Sequence, residues 1–314
     1  MRVAVTGSTG RLGSALMAAL GDAPFSGPGG PLGWSRPEFD VDRAAEGAAR
    51  LLERDRPEIV IHAAAWTDVD GCARDPQLAM WRNGHATRDL AKACADRRID
   101  LVIVSTNEIF DGRRDDWRGY APDDVPNPVN AYGASKLEGE RRARQQFEQA
   151  RVRDQYGRLP RLAIVRSAWL FGPGSPDFPT KILAAGVDAR AAGRALRLVD
   201  DEFGSPTYTR DLADGIVELI AEDTLAPDDR AVGVHHLVNG GVASRAEWAR
   251  EALRLADLPV DTEDVSADTW ERASTPPRWA VLEATRLPSG HGLRPWTAAM
   301  ADYAPLLRRT LARR

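Results

Sequence analysis

Short apolar runs alternate with longer segments of mixed polarity through the first half of the chain. Residues 2–6, 57–62, 101–105 and 161–166 are compact runs rich in Val, Ile, Leu and Ala, with little in–out alternation. Runs of that kind read as strands buried on both faces. The intervening stretches 14–20, 44–54, 78–97 and 131–149 are rich in helix formers and read as helices. A Pro/Gly-rich loop over 22–33 leads into a further strand ending near Trp34-Ser35-Arg36. Regular strand–helix alternation predicts an α/β fold with a doubly wound parallel sheet. After residue 166 the alternation weakens. Helices are predicted over 209–221 and 245–256 and a strand over 235–239, and Trp270, Pro276, Pro277, Trp279, Pro295 and Trp296 punctuate the tail. This half reads as a smaller lobe.

Composition narrows the class. The 314 residues are 43% hydrophobic and 28% charged, which suits one large core or two domains. With a net charge of -4 and 42 scattered Lys and Arg, the chain has no polyanion-binding surface, so no nucleic-acid partner is expected. The Arg-rich end, 308–314, reads as the basic last turn of a helix. No apolar run is long enough to cross a bilayer, and the N-terminus enters a strand without a signal peptide. Cys72 and Cys94 stand far apart with no Cys/His cluster, so they read as reduced thiols of a cytoplasmic protein, with no metal site.

Three features carry chemistry. The first strand runs directly into Gly7-Ser8-Thr9-Gly10-Arg11-Leu12-Gly13 and then a helix. Strand, glycine loop and helix N-terminus form a cradle for a pyrophosphate, the mark of a Rossmann-like dinucleotide site. At the end of the second strand, Ser35-Arg36 lies where a basic residue accommodates a ribose 2′-phosphate, which leans toward NADPH over NADH. Asp40 and Val41 can flank the adenine, or Asp40 can cap the next helix. Ala63-Ala64-Ala65 ends the third strand with side chains small enough for a flat cofactor, and Ser105-Thr106 ends the fourth facing the same crevice. Finally, Tyr132 and Lys136 are four residues apart on one helix face. A nearby ammonium lowers a phenol's pKa from about 10, and the pair can then move a proton at a carbonyl oxygen.

These motifs resemble the extended short-chain dehydrogenase/reductases and, within them, the dTDP-4-dehydrorhamnose reductase family. The resemblance covers nearly the whole chain. It rests on the glycine loop, on His62 to Asp70, Asn83, Ser105-Thr106 to Gly112, Tyr132 to Glu140 and Arg166 to Trp169, and on the late landmarks Val199-Asp200-Asp201, Gly204 to Tyr208 and Ser244-Arg245. It implies a nucleotide-binding domain over 1–168 and a mainly substrate-binding lobe over 169–314, some segments of which return to the first domain. It implies Thr106, Tyr132 and Lys136 as the catalytic set, with Asn83 beside the cofactor and Thr67, Val69, Thr106, Asn107, Glu108 and Trp169 around the sugar. The reaction implied is hydride transfer to the C4 ketone of a nucleotide-linked 6-deoxy-4-ketohexose, and a homodimer is compatible with it.

The chain departs from that pattern in two places. Asn107-Glu108 stands where the family carries Asp-Tyr, which opens the identity of the sugar. A glutamate that helps bind magnesium in some members falls on Ala15, so no metal is expected. Ser-Thr-Asn-Glu is also similar to the Ser-Thr-Asp-Glu of nucleotide-sugar 4,6-dehydratases, but Asn107 cannot supply their acid proton. A related epimerase, and a silent subunit like the regulatory subunit of methionine adenosyltransferase, are the alternatives; the intact Thr106, Tyr132 and Lys136 favour an enzyme.

Overall fold

The computed structural model describes residues 1–153 and 158–313. Six strands, β1 (Val3–Thr6), β2 (Leu32–Trp34), β3 (Ile59–His62), β4 (Asp100–Thr106), β5 (Leu162–Ser167) and β6 (Val232–His236), form one sheet in the order β6-β5-β4-β3-β1-β2, with every pairing parallel. Helices α1 (Arg11–Asp22), α2 (Ala44–Asp55), α3 (Ala86–Asp96) and α4 (Ala131–Arg153) connect the first five strands. One face of the sheet packs Leu51, Leu90 and Phe147 of α2, α3 and α4, and the other packs Leu16 of α1 with Leu212 and Ile216 of α6 (Thr209–Ala221). The strands are buried on both faces because helices cover both. Strand order reverses between β1 and β3, so the connections leave in opposite directions there and open a crevice at the strands' carboxyl ends.

A separate core lies in the second half. It joins α5 (Phe178–Ala191), α7 (Arg245–Leu255) and α8 (Trp296–Ala312) around Leu183, Trp248, Met300 and Tyr303. Parallel pairing of Leu196–Val199 with Thr262–Val265 edges this core. α6 and β6 belong to the sheet layer, although their sequence lies beyond residue 169.

Several elements differ from the sequence reading. The helix expected over 78–97 is three pieces: Pro76–Ala79, a π-helical turn Met80–His85, and α3. The π turn redirects Asn83 toward the loop after β3. The strand expected at 235–239 lies three residues earlier, because Gly233, which weakens the apolar pattern, pairs in register with Ala163. α5 has no continuous apolar stripe, which is why periodicity did not reveal it. α8 carries Pro305 in its interior and ends with a basic turn, as read from 308–314, although Arg314 lies outside the described residues.

Candidate active site

The crevice is a cavity of about 880 Å³ between the sheet's carboxyl edge and the second lobe. One wall is built by strand ends. The glycine loop leaves β1 and enters α1 with Gly10 as N-cap and no side chain capping the helix. A Cβ on Gly13 would lie 2.0 Å from the Gly7 carbonyl oxygen, so only glycine lets the helix sit this close to the strand. The helix N-terminal amides therefore face the crevice, ready for an anion. Gly7, Thr9, Gly10, Arg11, Leu12 and Gly13 all line it. Arg11 crosses the cavity, with Nη2 donating to the Ser175 carbonyl at 2.6 Å and Nε to that of Gly172 at 3.3 Å. Ser35 Oγ accepts from the Thr9 amide at 3.2 Å and so ties β2 to the loop, while Arg36 is exposed at the rim.

Asp40 and Val41 also line the cavity, and Asp40 caps the next turn by accepting from the Asp42 amide at 3.0 Å. The capping reading of Asp40 therefore holds. Ala63, Ala64, Ala65, Thr67 and Val69 continue the wall from β3. Asn83 does not reach it. Its amide donates to the Trp66 carbonyl and to Ser135 Oγ, both at 3.0 Å, and its oxygen accepts from the Trp66 amide at 2.8 Å. Asn83 is a buried brace between the β3 loop and α4, and the expectation that it meets a cofactor directly is replaced by that role.

At the crevice mouth Thr106, Glu108, Tyr132 and Lys136 meet. α4 packs on the Asn107–Ile109 turn so closely that a Cβ on Gly133 would lie 2.0 Å from the Glu108 carbonyl oxygen. That contact sets Tyr132 beside Thr106. Lower down, Glu140 accepts from Arg166 Nη2 at 2.8 Å and from Ser105 Oγ, a buried pair that pins α4 to β4 and β5. The Lys136 ammonium donates to the Val104 carbonyl at 2.7 Å. Burial lowers its pKa to about 8, partly offset by the Glu140 carboxylate.

The Tyr132 phenol departs from the sequence expectation. Burial, then the Glu108 carboxylate, pushes its pKa well above the usual phenol range, while a hydrogen bond with Thr106 acts the other way. Lys136 is not among the causes of that shift, and its ammonium points to the Val104 carbonyl. Burial likewise raises the Glu108 pKa, against the Asn130 amide and the Arg245 and Arg272 charges, which lower it. Asn107 is 2% exposed, donates to the Ala280 carbonyl at 2.9 Å and accepts from Thr106 Oγ1 at 3.3 Å. Its polar atoms orient Thr106 and anchor the second lobe.

The opposite wall comes from the second lobe and was largely missed from the sequence. Trp169, in the left-handed region at φ 44°, stacks on Trp248 at 5.6 Å, which stacks on Phe178 at 4.5 Å. The Arg245 guanidinium lies 3.7 Å from the centre of the Trp169 ring. Ser244 and Glu247 form a capping box that starts α7 and aims Arg245 inward. That box was legible in Ser-Arg-Ala-Glu; the direction of Arg245 was not.

A doubly wound sheet with a glycine cradle at its switch point and a Tyr–Lys pair at the mouth defines a Rossmann-type oxidoreductase. The profile of the RmlD substrate binding domain family matches residues 1–308, and the chain belongs to that family. It is 33% identical to a dTDP-4-dehydrorhamnose reductase of Streptomyces griseus, over 96% of this chain and 93% of the relative. It is also 33% identical to a dTDP-4-keto-6-deoxy-D-glucose reductase of Streptomyces niveus, over 96% of each. The solved dTDP-4-dehydrorhamnose reductase of Bacillus anthracis in complex with NADP superposes with a TM-score of 0.79 at 27% identity, covering 100% of this chain and 99% of that one.

No helix among the described residues is long and apolar enough to cross a membrane. Those residues contain no group of three or more His, Cys, Asp or Glu placed to hold a metal ion.

Proposed function

We propose that this protein reduces the C4 ketone of a dTDP-linked 6-deoxy-4-ketohexose with NADPH, in the manner of a dTDP-4-dehydrorhamnose reductase forming dTDP-L-rhamnose. The meeting of Thr106, Tyr132 and Lys136 at the mouth of a dinucleotide-sized crevice carries this reading. The cradle fits the cofactor: α1 presents uncapped amides, and Gly7, Gly10 and Gly13 line the cavity beside them without side chains. The glycine loop would hold the pyrophosphate, Ser35 and Arg36 the adenosine ribose and its phosphate, Asp40 and Val41 the adenine, and Lys136 the nicotinamide ribose. When bound, the cofactor supplies the hydride.

The chain's own groups handle the oxygen. With the sugar bound, Thr106 Oγ1 would turn its one proton from Asn107 to the carbonyl oxygen, so negative charge developing there meets a donor. Tyr132 then gives its proton to that oxygen. An elevated phenol pKa keeps this proton in place at neutral pH, and an alkoxide is a stronger base than a phenolate even so. Thr67, Val69 and the Trp169 wall would enclose the sugar and exclude water. Asn107 spends its side chain on Ala280 and Thr106, which counts against dehydratase chemistry.

Buried, unpaired Cys72 and Cys94 support a cytoplasmic setting. Homodimerisation belongs to the same proposal through the resemblance, and sedimentation tests it. Loss of absorbance at the nicotinamide band with dTDP-linked 4-ketosugars tests the activity. A purified protein that consumes neither NADPH nor NADH with any of them would overturn the reading.

A further inference from the structure

The space in front of Tyr132 carries two charged groups that the proton transfer does not use. Glu108 Oε2 accepts from Asn130 Nδ2 at 2.6 Å, while Oε1 has no hydrogen-bond partner among the described residues. Across the cavity, Arg245 lies on the Trp169–Trp248–Phe178 shelf with its side chain 23% exposed. Its Nε is 3.6 Å from Glu202 Oε2, and its two Nη atoms donate to no other described residue. Glu108 and Arg245 act on each other electrostatically through the cavity that both line. The second lobe thus holds a rigid, partly dry guanidinium opposite a half-used carboxylate. Contact with the Trp169 ring holds the guanidinium in place, and its Nη atoms are left for a ligand.

Ring chemistry indicates what such a pair reads. Thr106 and Tyr132 hold the C4 oxygen. The neighbouring ring carbons of a 6-deoxy-4-ketohexose are C3, with a hydroxyl, and C5, with a methyl group. A carboxylate only accepts and a guanidinium only donates, whereas a hydroxyl does both. A methyl group satisfies neither.

Resting on the reductase reading, we propose that Glu108 and Arg245 are a specificity-determining pair: Glu108 accepts from the hydroxyl beside the ketone and Arg245 donates to an oxygen of the same sugar. Nucleotide-linked 4-ketosugars hydroxylated at C3 are accepted, and their 3-deoxy counterparts are rejected because Glu108 then keeps only Asn130 and Arg245 only Glu202, each without its partner inside the cavity.

The test measures kcat/KM for a matched pair of dTDP-linked 4-ketosugars with and without the C3 hydroxyl. The unaltered protein should prefer the hydroxylated sugar by about 100-fold or more, within the range for sites built to bond a hydroxyl. Glu108→Gln keeps the shape and removes the charge. Arg245→Met keeps a stem on the Trp169 shelf and removes the donors. Each should reduce the preference to about 10-fold or less, by raising KM for the hydroxylated sugar, with the Kd for NADPH unchanged. Glu108→Gln should also remove an acid limb from the pH profile of kcat/KM, which a merely structural role would not do. If one variant fails to bind NADPH, the other, on the opposite lobe, decides. An unaltered protein with a preference under about 3-fold, or two folded variants that keep the full preference, would overturn the pair while the reductase reading stands. Failure of the unaltered protein to consume NADPH with either sugar would overturn both.

Discussion

The two walls of the crevice are made differently. On the sheet side each group sits at the end of one strand or in the first turns of one helix. The glycine loop, Ala63-Ala64-Ala65, Ser105-Thr106 and the Tyr132–Lys136 pair are contiguous or nearly so in sequence. On the lobe side Trp169, Phe178, Arg245 and Trp248 come from three segments spread over 80 residues and meet only through a shared core. A wall built from local motifs ties its chemistry to backbone geometry that nearly any sugar reductase needs. A wall assembled at long range is free to vary with the substrate.

Mutations separate the walls. The largest effect expected is from Trp248→Ala, which opens a cavity at a side chain 1% exposed in the lobe core and should cost about 3–5 kcal/mol in urea unfolding. NADPH affinity of the folded fraction should stay within a few-fold of the original. A tenfold loss of NADPH affinity would show that the walls are not independent.

Next is Tyr132→Phe, expected to lower turnover by at least about 100-fold with little change in cofactor affinity. Turnover within a few-fold of the original would remove Tyr132 as the proton donor and with it the role given to the sheet wall.

The buried ammonium gives a pH signature to the same wall. Lys136 in the fold has a pKa of about 8 against 10.5 in the open chain. Between those values the unfolded chain holds a proton that the folded one has released, so stability from this group rises with pH through that window and its cost is full below pH 8. The stability of the original protein relative to Lys136→Met should therefore increase by about 2 kcal/mol between pH 8 and 9.5 in urea titrations. A difference that is flat with pH would mean that the ammonium is not held dry at Val104.

The smallest effect concerns the exposed rim. Arg36→Ala should weaken NADPH by about tenfold and NADH by less, read from two dissociation constants, since a guanidinium matches a 2′-phosphate and has little to grip on a hydroxyl. Equal losses would remove Arg36 from cofactor choice.

Legibility from sequence followed the same division. Strand–helix alternation placed five of the six sheet strands to within a few residues, and the glycine loop and Tyr-x3-Lys stood out because their spacing is their geometry. The π turn at Met80–His85 was invisible, since it answers to contacts with the β3 loop and α4 and not to local propensity. Asn83 suits a cofactor contact by type and place, yet its side chain bridges Trp66 and Ser135 outside the cavity lining.

By itself, the sequence determined the parallel sheet, the cofactor cradle and the pairing of Tyr132 with Lys136 on one helix face, because each depends on residues a few positions apart. Tertiary structure alone decided which way the phenol's pKa moves and where the lysine spends its charge. It also decided that Arg245 faces Glu108 across the cavity. Burial and charge proximity are properties of what packs alongside, and in this chain the packing partners lie tens to hundreds of residues away.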